Sequence, residues 1–127
     1  MMESMPIFWR YEATVLGHLA SKANSRRKTN WGGVIKSASA MQFERDFQKQ
    51  VPRAMQSFEK PVKLTAWVFY GDARRDLDIS LLQDCIQKQG IIKNDRQIVE
   101  IYAIRHIDRK RPRVEFKLDE IVGYQAE

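Results

Sequence analysis

The stretch VKLTAWVFY, residues 62–70, decides the fold that the sequence predicts. It is rich in β-branched and aromatic residues and follows Pro61, which is typical of the start of a strand. One face of this strand is apolar through Val62, Leu64, Ala66, Val68 and Tyr70. Trp67 and Phe69 make the other face apolar as well. A strand that is apolar on both faces is expected at the centre of a sheet.

Three further strands are predicted around this central one. Residues 7–15 alternate with a period of two between apolar and polar side chains, and residues 97–105 (QIVEIYAIR) and 113–118 (RVEFKL) are also interpreted as strands. We expect the strand at 97–105 to pair with the strand at 62–70.

Two helices are predicted between the strands. Ser39 and Gln42 resemble a capping box at the start of the first helix, which is expected to end at Val51 before Pro52. The second helix is predicted over residues 77–89. Gly90 then fits the left-handed position just past its end.

The predicted fold class is therefore α+β. The element order β-loop-α-β-α-β-β gives a mixed sheet of about four to five strands packed with two helices. A chain of 127 residues suits a single domain, 1–127, in which residues 17–36 form a long basic loop.

The single cysteine and the absence of long apolar runs predict a cytoplasmic protein. Cys85 lies among Leu81, Leu82 and Ile86, so we interpret it as a packing residue rather than a nucleophile. With one cysteine the chain cannot form an internal disulfide, which favours a reducing compartment. The sequence shows neither a membrane span nor a signal-peptide pattern.

Basic residues are concentrated in two places, and the formal net charge is +6. No acidic residue lies between Glu12 and Glu44, and residues 109–113 form a second basic cluster. This distribution favours a polyanionic partner such as a nucleic acid, although a solvated basic face would explain it equally well.

Two aspartates follow two arginines in RRDLD, residues 74–78. As structural residues, Asp76 would cap the second helix, Asp78 would lie in its first turn, and Asp95 would belong to an ordinary turn. As functional residues, Asp76 and Asp78 would point to the same side of an extended segment and bind one Mg²⁺, with Asp95 as a third carboxylate. No histidine and cysteine cluster has the spacing of a zinc site.

Two segments resemble the RusA family of Holliday-junction resolvases (crossover junction endodeoxyribonucleases). RRDLD is similar to the family's D-x-D-N pair before a helix. GIIKNDRQIVEI, residues 90–101, is similar to its G-[VIF]-[IW]-x-D-D-x-Q-[VI]-[VI] segment after that helix. SKANSRR followed by KSASAMQFERDFQ is more loosely similar to the family's first turn and helix. The resemblance covers roughly residues 13–118.

The resemblance implies a homodimeric endodeoxyribonuclease that hydrolyses phosphodiesters in four-way DNA junctions during recombination and repair, in a prokaryotic or phage setting. It implies that Asp76, Asp78 and Asp95 are catalytic and bind Mg²⁺, for which Mn²⁺ can substitute, with no small-molecule cofactor and no membrane partner. In this hypothesis the DNA contacts come from the basic segment and the arginines before the acidic pair: Lys22, Asn24, Arg26, Arg27, Lys28, Lys36, Arg74 and Arg75.

The sequence departs from the family pattern at three positions. Asn94 replaces the first acid of the D-D pair, Ile79 replaces the asparagine, and Leu82 stands where an ungapped comparison expects the catalytic lysine. The second helix is also about two residues shorter than usual. Lys93 and Arg75 are the candidates for a substitute cation.

Two other hypotheses stay open. One is a non-catalytic relative of the same fold that binds junctions or other DNA, which the absent lysine favours. The other is a small α+β interaction module with a generic basic surface.

Overall fold

A four-stranded mixed sheet organises the structure, a computed structural model that describes residues 9–21, 26–28 and 34–124. For residues 26–28 and 34–36 it describes the backbone only. The strand order is β1-β6-β4-β5, and a separate antiparallel pair joins β2 to β3. In chain order the elements are β1 (Arg10–Leu16), β2 (Arg26–Lys28), β3 (Val34–Lys36), α1 (Ala38–Gln50), β4 (Val62–Tyr70), α2 (Ser80–Lys88), β5 (Ile98–Ile107) and β6 (Arg113–Glu120).

Strand β4 lies inside the sheet, as its sequence predicts. It pairs in parallel with β5 and antiparallel with β6, and its bounds match the predicted range 62–70. The predicted pairing with the next strand along the chain is confirmed. The predicted α+β class, with a mixed sheet and two helices, is confirmed as well.

Both helices cover the same face of the sheet. Phe47 of α1 stacks on Phe116 of β6 with ring centroids 5.8 Å apart. The buried side chains of this face form one core with those of the helices, among them Leu64, Ala66, Val68, Val114, Leu118, Phe43, Leu82 and Ile86. Burial of these side chains is the main stabilising contribution to such a small domain.

Cations from β6 and a histidine from β5 cover the second apolar face of β4. The Arg113 guanidinium lies 3.7 Å from the centre of the Phe69 ring, and His106 stacks on that ring at 4.7 Å. Lys117 lies 5.8 Å from the centre of the Trp67 ring. The aromatic side chains of this face are therefore half-buried rather than exposed.

Both helices begin at residues other than those predicted. Ser37, not Ser39, caps α1, because the Ser37 hydroxyl accepts a hydrogen bond from the backbone N of Ala40 at 3.2 Å. Helix α2 begins at Ser80 rather than at residue 77, so Asp76 does not cap it. Gly90 has φ of 79°, which confirms the left-handed residue predicted at this helix end.

The predicted loop at 17–36 contains the β2–β3 pair, in which Arg27 lies opposite Ile35. Each of these strands is three residues long, too short for an alternating pattern to reveal it. The segment starts at Gly17, whose φ of 138° few other residues adopt. A Cβ there would lie 2.5 Å from a carboxylate oxygen of Asp46 in α1. Gln50 of α1 also bonds both the backbone N and O of Leu16, at 2.7 and 2.9 Å.

Cys85 is buried in the core, as predicted for a packing residue. Among the residues that the structure describes, no helix is long and apolar enough to cross a membrane.

Candidate metal and nucleic-acid site

The Tyr70 hydroxyl fixes the backbone of the acidic pair. It donates a hydrogen bond to the backbone O of Asp76 at 3.1 Å and accepts one from the backbone N of Asp78 at 3.3 Å. Burial raises the pKa of Tyr70 above its ordinary value, so the hydroxyl stays protonated and able to donate. A single side chain at the end of β4 thus holds Asp76 and Asp78 in an extended segment.

Further hydrogen bonds hold the loop on either side of that segment. Arg105 of β5 donates to the backbone O of Arg75 at 3.0 Å and, at 3.5 Å, to that of Ala73. The Asp78 carboxylate accepts from the backbone N of Ser80 at 2.9 Å. Because the Asp78 side chain bonds the first residue of α2 and its backbone bonds Tyr70, residues 76–79 stay outside the helix, which starts only at Ser80.

The acidic pair opens into a pocket of about 520 Å³. Its lining combines acids and bases with the phenol: Leu19, Ser21, Tyr70, Asp72, Arg74, Arg75, Asp76 and Asp78. Asp76 and both arginines are exposed, whereas Asp78 is half-buried. Carboxylates beside guanidinium groups can hold a divalent cation and the phosphate oxygens that share it. The pocket therefore has the size and chemistry for a phosphodiester with a bound cation.

Asp95 lies at the opposite end of α2. Its backbone N donates to the Gln87 side chain at 3.2 Å, near the end of the helix, whereas Asp78 bonds Ser80 at the start. From Ser80 to Gln87 the helix rises about 10 Å. Within the described residues of a single chain, Asp76, Asp78 and Asp95 do not form one group that could hold a metal ion.

Within the described part of the chain, no group of three acidic, histidine or cysteine side chains is arranged to hold a metal ion. Mg²⁺ in phosphate-processing sites is often bound by only one or two carboxylates together with substrate phosphates and water. Asp76 and Asp78 provide such a pair, so the residues at this pocket fit Mg²⁺.

The two candidate substitute cations lie at different ends of α2. Arg75 lines the pocket with the acidic pair. Lys93 lies on the Asp95 side and forms an exposed ion pair with Glu59, with 2.7 Å between the ammonium and a carboxylate oxygen. Leu82, where an ungapped comparison expects the lysine, is fully buried in the core. A lysine at that position would not reach the pocket without disturbing the core.

Asn94 stands where the family pattern has an acid, and its side chain has a structural role in this chain. Asn94 caps the turn that contains Asp95: its side chain accepts from the backbone N of Arg96 at 2.8 Å. Gln97 completes a capping box by accepting from the backbone N of Asn94 at 2.9 Å. The cap of this turn is therefore formed by its own neighbours in the sequence, while the Gln97 amide also bonds the backbone O of Phe58 at 2.7 Å.

The predicted DNA-contacting residues fall into two groups. Arg74 and Arg75 are exposed at the pocket. Lys22 and Asn24 lie outside the described residues. Of Arg26, Arg27, Lys28 and Lys36 the structure describes the backbone, which forms the β2–β3 pair. Leu19 and Ser21, near the start of the basic segment, line the pocket.

Tyr70, Arg105 and Asp72 contribute to the site, although the sequence did not single them out. Asp72 directly follows the central strand and accepts a hydrogen bond from the backbone N of Arg74 at 2.9 Å, and its position after a strand could have drawn attention to it. The hydrogen bonds of Tyr70 and Arg105 depend on strand register and loop path, which leave no local pattern in the sequence.

Comparison with known proteins supports one family. No individual curated protein matches the chain. The endodeoxyribonuclease RusA family matches residues 17–119, a range that includes the basic segment, the acidic pair and Asp95. The chain therefore belongs to the RusA family of endodeoxyribonucleases.

Proposed function

We propose that this protein is a Mg²⁺-dependent endonuclease that cuts four-way DNA junctions as a homodimer. Membership in an endodeoxyribonuclease family supports DNA as the substrate. One observation carries the rest: Asp76, Asp78 and the two arginines before them line a single pocket at the end of the central strand.

Each side chain at the pocket has a role in this proposal. Asp76 and Asp78 bind the cation, and Arg74 and Arg75 bind phosphate oxygens of the DNA. Mg²⁺ held there would activate a water molecule and stabilise charge on the phosphate. Tyr70 and Arg105 keep the carboxylates in position, so little reorganisation is needed when DNA binds. The basic segment, including Lys22, Asn24, Arg26, Arg27, Lys28 and Lys36, contacts the backbone of the junction.

A dimer would explain how Asp95 takes part. Within one chain Asp95 is separated from the acidic pair by most of α2, so we assign it to the site of a partner subunit. A two-fold dimer provides two such sites, which two symmetric cuts across a four-way junction require. Mn²⁺ should substitute for Mg²⁺ because it also accepts oxygen ligands.

The direct test is a cleavage assay with matched DNA substrates. Labelled four-way junction and linear duplex are incubated with the protein in Mg²⁺ and in EDTA. We expect Mg²⁺-dependent cutting of the junction only. Asp76→Asn should abolish it while leaving junction binding intact or tighter, because the variant removes a charge that repels phosphate.

Asp84→Asn is the matched control, since Asp84 is an exposed aspartate of α2 outside the pocket lining. Its cleavage rate should equal that of the wild type. Wild-type cleavage by Asp76→Asn protein would contradict the metal site.

A non-catalytic DNA-binding role is the second candidate. It is favoured by the buried Leu82 at the expected position of the lysine and by Ile79 in place of the asparagine. Such a protein would bind the junction with the salt dependence typical of phosphate contacts but would not cut it with any divalent metal ion.

A further inference from the structure

The turn between β5 and β6, residues 108–112, carries three consecutive cations that the proposed function leaves without a role. Arg109, Lys110 and Arg111 are all exposed, and their side chains form no ion pair with any residue that the structure describes. Neighbouring like charges repel one another. A bound anion would therefore stabilise this segment, which is called the basic turn below.

The backbone of the basic turn is held by side chains other than these three. The Asp108 carboxylate accepts hydrogen bonds from the backbone N of Lys110 at 3.2 Å and of Arg111 at 3.1 Å. The Arg113 guanidinium donates to the second oxygen of Asp108 at 2.9 Å and to the backbone O of Arg111 at 3.0 Å. The shape of the turn is thus set before a ligand binds, which lowers the entropic cost of binding one.

The basic turn lies beside the end of β4, where the pocket of the acidic pair begins. The backbone N of Asp108 donates to the backbone O of Tyr70 at 2.8 Å, and Tyr70 lines the pocket. A Cβ on Gly71 would lie 3.3 Å from Cγ of Pro112. The backbone N of Gly17 donates to the backbone O of Pro112 at 3.0 Å. The turn is therefore packed against the chain segments that lead into the pocket.

We propose that Arg109, Lys110 and Arg111 bind the phosphate backbone of the DNA next to the phosphodiester in the acidic pocket. The inference rests on the proposed function and adds to it a phosphate-binding surface separate from the basic segment and the pocket arginines. Guanidinium and ammonium groups bind phosphate oxygens through charge-assisted hydrogen bonds. Each strand of a duplex carries one phosphate per about 3.4 Å of helix axis, so three adjacent cations can contact about two or three consecutive phosphates. Such contacts add affinity and orientation but carry no sequence information.

A charge-removing variant tests this surface by DNA binding alone. Arg109→Gln, Lys110→Gln and Arg111→Gln are combined in one protein, and its binding to a labelled four-way junction is measured in EDTA over a range of salt concentrations. We expect the affinity at low salt to fall roughly tenfold or more. The slope of log affinity against log salt should flatten by about 2, because each lost phosphate contact removes about 0.9 from it.

The matched control removes three charges elsewhere. Lys49→Gln, Arg53→Gln and Lys60→Gln change exposed cations that lie outside the pocket lining. The salt slope of this control should stay close to that of the wild type. Equal losses of affinity and slope in both triple variants would overturn the proposal, because net charge alone would then explain them.

Neutral phosphates in the DNA test the location of the contact. Junctions are prepared with a single methylphosphonate at successive positions along one strand near the crossover. Some of these substitutions should weaken binding by the wild type but not by the triple variant of the basic turn. If every substitution affects both proteins equally, the turn does not contact these phosphates and the proposal is overturned.

The variant should fold normally and retain its chemistry. The hydrogen bonds that hold the turn use the backbone of residues 110 and 111 and the side chains of Asp108 and Arg113, none of which is changed. Asp108→Asn also keeps an oxygen that accepts the two backbone bonds. Single-turnover cleavage at saturating protein should stay within about twofold of the wild type, because these contacts are equal in the ground state and the transition state.

The binding and cleavage measurements separate this proposal from the proposed function. Cleavage by the wild type, with unchanged affinity and salt slope in the triple variant, overturns the phosphate-binding surface alone. Binding that depends on the basic turn, without cleavage in any divalent metal ion, supports the surface and contradicts the nuclease. A wild type that binds neither the junction nor linear duplex overturns both proposals.

Discussion

The two acidic segments at the ends of α2 are held in different ways. Asp76 and Asp78 depend on the Tyr70 hydroxyl from β4, and the loop before them depends on Arg105 from β5, thirty residues further along the chain. The Asp95 turn is closed by a capping box between its neighbours Asn94 and Gln97, and the Gln97 amide also bonds the backbone of Phe58 and Lys60. The backbone of the acidic pair is therefore held by side chains from distant strands, whereas the cap of the Asp95 turn is encoded in the turn's own sequence.

This difference explains which parts of the family pattern are informative. A turn fixed by a local capping box keeps a recognisable sequence, and the resemblance is most specific there. A loop fixed by distant side chains can change its own sequence, as it has at Ile79, while its backbone is still held from outside. The same difference predicts how each end responds to substitution.

The largest expected effect is the recovery of activity when two inactive variants are mixed. If the two ends of α2 form one site across a dimer, Asp76→Asn and Asp95→Asn proteins should each be inactive. In an equal mixture of the two proteins, half of the dimers are mixed, and one of the two sites in each mixed dimer is intact. The mixture should therefore have about a quarter of the active sites of the wild type and recover nicking to about that level. Nicking of a labelled junction after subunit exchange measures this recovery.

A mixture of Asp76→Asn and Asp78→Asn proteins is the matched control. Both changes lie at the same end of α2, so no mixed dimer has an intact site and the mixture should stay inactive. If the Asp76→Asn and Asp95→Asn mixture is equally inactive, the two ends do not combine between subunits.

The candidate substitute cations should differ in effect because Arg75 lines the pocket of the acidic pair and Lys93 does not. Arg75→Ala should slow single-turnover cleavage by roughly 100-fold, a typical cost of losing one electrostatic donor in the transition state, with a smaller loss of junction binding. Lys93→Ala should slow it much less, because the Lys93 ammonium is paired with Glu59. The reverse order would assign the role to Lys93.

Removal of the Tyr70 hydroxyl should selectively affect the end of α2 that carries Asp76 and Asp78. Tyr70→Phe leaves the backbone O of Asp76 and the backbone N of Asp78 without their hydrogen bonds, at a cost of about 1–2 kcal/mol. We expect the Mg²⁺ concentration for half-maximal cleavage to rise roughly tenfold, with junction binding in EDTA unchanged. A titration of cleavage rate against Mg²⁺ measures the shift.

Tyr11→Phe is the control for that titration. The Tyr11 hydroxyl also donates to a backbone carbonyl, that of Pro52, and lies outside the pocket lining. It should lower thermal stability without changing the Mg²⁺ requirement. Equal Mg²⁺ shifts in both variants would mean that Tyr70 acts through general stability alone.

The smallest expected effect concerns Asp108, a third acid held by its neighbours. The hydrogen bond from Arg113 lowers the pKa of Asp108 below its ordinary value of 3.8. A carboxylate with a lowered folded-state pKa stabilises the fold above the unfolded pKa and loses this contribution as the pH falls through the folded pKa. Asp108→Asn should therefore lower the melting temperature slightly at pH 7, and by less in acid, where the carboxylate is protonated. Junction cleavage at pH 7 should stay unchanged.

The features that the sequence predicts correctly are those with a local pattern. The bounds of β4 follow from an unbroken run of β-branched and aromatic residues between Pro61 and Gly71, and Gly90 ends α2 as expected. The start of α2 was wrong by three residues, because the apolar Leu77 extends the helical pattern. The structure instead leaves residues 76–79 outside the helix, with the Tyr70 hydroxyl bonded to the backbone of Asp76 and Asp78.

The site was predictable only in part for the same reason. Asp76 and Asp78 line one pocket, which agrees with the expectation that two acids one residue apart lie near each other. The separation of Asp95 from them depends on the length and direction of α2, and the role of Arg105 depends on the register of β5. Neither property is visible in the identity of neighbouring residues.

The attachment of the basic segment has a consequence for how this protein can diversify. Both ends of the segment are anchored on α1: Gly17 contacts Asp46 and follows Leu16, which Gln50 binds, and Ser37 caps the first turn. A segment whose two ends are fixed on one rigid helix can change in length at little cost, because loop-closure entropy grows only slowly with length. Under the proposed function, in which this segment contacts DNA, insertions and substitutions between these anchors would change which DNA shapes are bound without moving the acidic pair. Substrate preference and chemistry can therefore evolve separately in this fold.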